Sequence, residues 1–208
     1  MSFEGFSDEA FEFYRGLEAH NSREYWQAHK STYERAVKEP MLDLIDELRE
    51  EFGDGRLYRP NRDVRFSKDK SPYKTATSAP LMGGGYVQFS TAGLGVGAGY
   101  YMMEPRQLEA FRTAIADDTT GPELESIMAT LASSGAELRA HDEPLKTAPR
   151  GYPKDHPRID LLRRKGLIAW WLFEPAPVLG TAGALDLVVD SLRRAEPLMV
   201  WLDDNVGR

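Results

Sequence analysis

Between Arg62 and Lys74 the chain reads "RDVRFSKDKSPYK", thirteen residues holding five basic side chains, two aspartates and two aromatics. Arg62 and Arg65 offer forked guanidinium donors and Lys68, Lys70 and Lys74 offer point charges. With Tyr73 and Ser67 as neutral hydrogen-bonding partners, this is a set suited to gripping a phosphate or carboxylate group. Asp63 and Asp69 supply the acid, base or metal contact that turnover of such a ligand would use. The same residues support a second reading, in which the aspartates pair with arginines and pin an irregular connection that no regular ladder satisfies. If the segment is extended, Val64 and Phe66 share one face, while Asp63 and Arg65 share the other.

Other chemistries find less support. The four histidines, His20, His29, His141 and His156, form no i, i+4 pair and no HExxH, so no metal site is expected. His156 precedes Pro157 in a basic, proline-rich loop, where it is placed either to carry a proton or simply to cap the turn that follows. No Gly-x-Ser-x-Gly elbow is present, and no local base sits beside Ser67, Ser71 or Ser78. Lys30-Ser31 and Lys70-Ser71 lack the glycine-rich loop of a phosphate-binding turn. Gly93, Gly95, Gly97 and Gly99 lie inside a strand instead of between a strand and a helix, so they mark close packing by a helix or by bulky aromatics, with a ligand as the minority reading. No cofactor is indicated.

Elements must position these residues. Ser7 caps a first helix carrying Phe11, Phe13, Tyr14 and Leu17, to about His20. Asn21 and Glu24 resemble a capping box for a second helix, in which His29 lies in a stripe with Tyr25 and Tyr33. Pro40 starts a third, with Leu42, Ile45, Leu48 and Phe52 as its apolar face, ending at Gly53. From Arg56 the pattern becomes irregular. A hairpin follows, Tyr86 to Ser90 and Leu94 to Tyr100, then helices beginning near Pro105 and Pro122 and a short strand in "AELRA". Residues 141–157 form a long loop with four prolines. A short helix from Pro157 to Lys165, a buried strand "LIAWWLFE" and a C-terminal helix broken near Pro197 complete the chain. Helices, then strands, then mixed elements without βαβ alternation predict an α+β fold, a single domain with N-terminal helices followed by an antiparallel sheet with packed helices.

Length and composition agree. A chain of 208 residues, 41% hydrophobic and 28% charged, suits one soluble domain with a sizeable core. No apolar run is long enough to cross a membrane and the N-terminus is acidic, unlike a signal peptide, so a cytoplasmic location is expected. Without cysteine there is no disulfide, thiol nucleophile or thiolate metal ligand. The net charge of −7 is unevenly spread. Residues 1–55 carry six basic and fourteen acidic groups, net −8, whereas residues 56–74 carry seven and two, net +5. Overall acidity argues against nucleic acid as a partner, even with Tyr58, Phe66 and Tyr73 available for stacking. The basic island favours an anionic small molecule. Oligomeric state is not legible.

"RDVRFSKDKSPYK" resembles the hallmark of a widespread family, domain of unknown function 2461, whose pattern runs Arg-Asp-x-Arg-Phe-Ser-x-Asp-Lys-x-Pro-Tyr-Lys. The likeness extends to "NSREYWQAHKSTYERAVKEP", "GAGYYMMEPRQLEAFRTAI" and "LKTAPRGYPKDHPRIDLLRRKGL", essentially the whole chain. Tyr25-Trp26 and Gly97-Ala98-Gly99 depart mildly from it. The resemblance implies one domain in which the hallmark and the "APRGYPKDHP" loop are the marked segments, and it carries over no established activity. The expectation drawn from it is a basic cleft in which Arg62, Arg65, Lys68 and Lys70 face Lys146, Arg150, Lys154 and His156. Such a cleft would bind a phosphorylated or carboxylated small molecule and has the carboxylates that its turnover would use. The alternative is a structural or interaction module with internally paired charges.

Overall fold

Asp8 and Glu9 favour a helix start, and Phe11, Phe13, Tyr14 and Leu17 behind them bury one face of α1 (Asp8–Ala19). In the computed structural model, which describes residues 2–65 and 69–207, the next helix is capped by Ser22. Its Oγ accepts the Tyr25 N–H at 3.1 Å, opening α2 (Arg23–Thr32). The expected cap, Asn21, is engaged elsewhere. A π-helical stretch, Tyr33–Lys38, then leads without interruption into α3 (Glu39–Phe52). The expected break at Pro40 is absent. Bonding in the wider turn runs from the Glu39 N–H to the Glu34 carbonyl, which leaves room for a ring that an ordinary turn would press against a carbonyl. The buried face of α3 is Met41, Leu44, Ile45 and Leu48. Leu42, read as part of that face, is 43% exposed.

The sheet has five strands in the order β1-β2-β3-β5-β4. β1 (Ala76–Pro80) pairs antiparallel with β2 (Gly85–Ser90), from Ala76 opposite Ser90 to Pro80 opposite Tyr86. β3 (Gly93–Tyr100) completes the expected hairpin, and β4 (Glu137–Arg139) pairs antiparallel with β5 (Leu167–Phe173). The small residues of β1 (ATSAP) show no apolar–polar alternation, so this strand is not marked by sequence period. The glycines of β3 meet β5. A Cβ on Gly97 would lie 2.9 Å from the Trp170 ring, and one on Gly93 would lie 2.0 Å from the Phe173 carbonyl oxygen. At Gly97 the close neighbour is an aromatic, and at Gly93 it is backbone.

The chain divides into two compact units, residues 1–96 with 172–190 and residues 97–171 with 191–208. In the first, Phe89 of β2 stacks on Phe6 at 4.2 Å and meets Phe11 edge-on at 4.7 Å, so α1 is held to the sheet by aromatic burial. In the second, α4 (Pro105–Ala116) begins with a capping box between Glu104 and Gln107 and buries Phe111 and Ile115. α5 (Thr120–Ser133) and α6 (Ile159–Leu162) follow, and of α7 (Gly183–Asn205) the part from Ser191 onward belongs to this unit. Pro197 lies inside α7 and does not break it. It is exposed, while Ala195, Leu198, Trp201 and Leu202 stay buried, and that burial outweighs an interior proline's penalty of about 3 kcal/mol. Among the described residues, no helix is long and apolar enough to cross a membrane.

Candidate functional site

Residues 55–62 run antiparallel to residues 72–81 along the outer edge of β1. Arg56 N–H donates to Pro80 O at 3.1 Å and Tyr58 N–H to Ser78 O at 3.0 Å. Beyond them Arg62 N–H donates to Pro72 O at 2.9 Å and Lys74 N–H to Pro60 O at 2.8 Å. Gly55 lies opposite Leu81 and Asn61 opposite Tyr73. The paired numbers sum to 136 in the first case and 134 in the second, so two extra residues are accommodated on the 74–80 side. Pro60, Pro72 and Pro80 each lack an N–H that this seam would otherwise use, which keeps it from becoming a regular ladder.

This pairing makes the segment from Arg62 to Lys74 a loop on a two-stranded stem. Because Asn61 and Tyr73 face one another, Arg62 and Lys74 project from the opposite face as diagonal neighbours. Tyr73 is turned inward and 7% exposed, with its ring stacked on Trp26 at 4.4 Å and 9°. The Asn21 side chain holds the Tyr73 backbone at both ends, donating from Nδ2 to its carbonyl at 2.9 Å and accepting its N–H at 3.1 Å. Asn21 was missed as a clamp because its position before a helix points to capping.

The loop charges are partly paired. Arg65 donates to both Asp63 oxygens, from Nε at 3.0 Å and Nη2 at 2.6 Å. These bonds, with the Arg65 backbone N–H, hold the Asp63 carboxyl below its ordinary range. Asp69 accepts from the Ser71 hydroxyl and N–H and from Arg62 Nη1, and its carboxyl is lowered first by Ser71 and then by Arg62. Lys70 Nζ donates to Val64 O at 2.9 Å. Phe66, Ser67 and Lys68 lie outside the described residues.

On the stem the balance is different. Lys74 Nζ sits 4.9 Å from the centre of the Tyr58 ring, and its ammonium is pushed below the ordinary lysine range by burial, then by the Arg59 and Arg62 guanidinium groups. Arg62 Nε is buried with no hydrogen-bond partner among the described residues. These three cations act on two carboxylates, each already shared: Asp69, which Arg62 shares with Ser71, and Asp63, which is bonded by Arg65 and also feels Arg59. Arg59 was missed as a site residue, although Arg56, Arg59, Arg62 and Arg65 recur every third residue.

Residues 9–201 match the family described as conserved hypothetical protein, DUF2461. The chain belongs to that family. No curated protein and no solved structure matches it.

The remaining predicted residues of this DUF2461 chain, Arg150 and His156, belong to the second unit, whereas the segment from Arg62 to Lys74 belongs to the first. Arg150 is exposed, as are Lys146 and Lys154. His156 Nδ1 accepts the Arg158 N–H at 3.0 Å, a capping contact at the turn before α6. Arg158, which sequence reasoning passed over, is 8% exposed and donates to Ile115 O at 2.6 Å, Ala116 O at 3.2 Å and Asp117 O at 3.1 Å. A buried guanidinium thus closes the C-terminus of α4, where the helix dipole favours a cation.

The second unit also has a shallow groove of about 630 Å³ lined by Arg106, Glu109, Thr113, Asp117, Thr120 and Asp204 among others. Three carboxylates against one guanidinium give it the wrong sign for an anion. Asp117 is already engaged by the Thr119 and Thr120 N–H groups at 2.8 and 3.0 Å. The charge of this groove does not suit an anion, whereas that of the stem does.

Proposed function

We propose that this chain binds a phosphorylated or carboxylated small molecule on the cationic face of the stem, with Arg59, Arg62 and Lys74 as primary contacts and Arg65 and Lys70 of the loop beside them. The observation that supports the reading is the gathering of Arg59, Arg62 and Lys74 with too few carboxylates to balance them, Arg62 Nε being left without a partner. An anion relieves the repulsion among these cations and accepts from their exposed donors. Tyr73 contributes through its position, holding the stem from beneath. We place the protein in the cytoplasm, where phosphorylated metabolites are abundant.

The test is a thermal-shift series with inorganic phosphate, pyrophosphate and citrate, in which a ligand of the folded state raises Tm with concentration. Arg62→Ala and Lys74→Ala should abolish most of the rise. An undiminished rise in both variants would rule the site out.

The Asp63–Arg65 and Asp69–Arg62 pairs favour a second reading, in which these charges only hold the loop. Arg65 is 75% exposed and Asp63 43%, and pairs so exposed add little to stability. On that reading Arg65→Ala lowers Tm more than it lowers any anion affinity.

A further inference from the structure

We propose that residues 55–62 form an open cationic sheet edge that takes up an extended, carboxylate-rich polypeptide segment as an added strand. In this segment the even-numbered residues turn their backbone groups inward, since the N–H groups of Arg56, Tyr58 and Arg62 and the carbonyl of Pro60 all serve the seam. The odd-numbered residues turn theirs outward. Among the described residues, the N–H and carbonyl groups of Leu57, Arg59 and Asn61 have no hydrogen-bond partner, and Arg59 and Asn61 are exposed.

Prolines commonly protect such edges, by withholding donors from an incoming strand. Here Pro60, Pro72 and Pro80 all withhold donors from the inner seam, and the outward row is complete. What guards it is charge. Arg56, Arg59 and Arg62 disfavour the same edge of a second copy and attract a segment of opposite sign. The alternation of donor and acceptor along Leu57, Arg59 and Asn61 matches a polypeptide backbone, whereas a nucleic-acid backbone offers acceptors and no matching donors. Carboxylates at alternate positions of the added strand would fall beside the cationic face described above. The inference rests on that face for its charge preference and on the backbone for its geometry.

The test uses the full-length protein and two ten-residue peptides, one alternating Glu with Thr and one with proline replacing each Thr and every Glu amide N-methylated, which has the same charge, no backbone donor on either edge and cannot pair as a strand. Hydrogen exchange is followed by NMR. The Glu-Thr peptide should slow exchange at the Leu57, Arg59 and Asn61 amides at least tenfold, and the proline peptide should leave them unchanged. Pyrophosphate should shift the Arg62 and Lys74 signals without protecting those amides. Asn61→Pro, which removes one outward donor and no charge, should weaken the Glu-Thr peptide at least fivefold. Absence of peptide binding, or binding without protection of the three amides, would overturn the proposal. Loss of the pyrophosphate response alone would overturn the small-molecule reading and leave the edge standing.

Discussion

Asn21 and Tyr73, fifty-two positions apart, are joined by a two-point hydrogen bond in which one side-chain amide satisfies both backbone groups of the tyrosine. The clamp ties the start of α2 to the stem and fixes which face of residues 72–74 points outward. Position along the chain thus becomes orientation at the site.

Asn21→Ala removes both bonds and leaves a part-buried N–H and carbonyl without them. The expected loss is about 1–3 kcal/mol of unfolding free energy, measured by urea titration. Asn21→Asp should also destabilise, since a carboxylate can accept from the Tyr73 N–H but cannot donate to its carbonyl. Stability equal to wild type in both variants would show that the clamp is incidental.

Tyr73 tests whether the tyrosine acts by stacking or by its hydroxyl. If stacking on Trp26 is its contribution, Tyr73→Phe keeps pyrophosphate affinity within about twofold, whereas Tyr73→Ala loses about 3–5 kcal/mol of stability, as truncation of a buried aromatic does. Equilibrium unfolding followed by Trp fluorescence, with calorimetric titration of the folded variants, separates the two. A Tyr73→Phe protein that folds normally and no longer binds would assign the hydroxyl to the ligand.

Arg158→Met keeps much of the side-chain volume and removes every donor from the end of α4. The Ile115, Ala116 and Asp117 carbonyls then lose a charged partner, and a destabilisation of at least about 2 kcal/mol is expected in urea unfolding. Anion binding on the stem should persist in the folded variant. An unchanged unfolding midpoint would contradict the capping role.

The secondary structure was most legible where burial follows a period. The hairpin of β2 and β3, the strand at Leu167 and the helix after Glu104 are all readable, because apolar residues recur at two- or three-to-four-residue spacing between clear punctuators. Reading failed where tertiary packing overrides a local rule. Pro40 is absorbed by a π-helical turn and Pro197 by the exposed face of a well-buried helix, so neither breaks its element. At the site, the sequence marked Arg62, Arg65, Lys70 and Lys74 by charge, but gave no sign that Asn21 would leave a cap for a backbone 52 residues away. Nor could it separate Tyr73, which faces inward, from its cationic neighbours, since that division follows from the pairing of Asn61 with Tyr73. Asp63 and Asp69 turned out to hold arginines, which only the loop geometry reveals.

The pH response of Lys74 tests the account most directly. Its folded-state value lies below the ordinary 10.5 because of burial and the Arg59 and Arg62 charges. Protonated Lys74 therefore opposes folding below that value, and the penalty fades as pH rises through it towards 10.5. A bound anion reverses the imbalance, so binding must raise the Lys74 value, and affinity must fall as pH rises through the free-protein value. NMR titration of the Lys74 Cε signal, with and without saturating pyrophosphate, reads this shift. The account predicts a depressed value in the free protein that moves upward with pyrophosphate, and a smaller movement in Arg62→Ala. A Lys74 titration that is ordinary in the free protein, or unmoved by pyrophosphate, would contradict it.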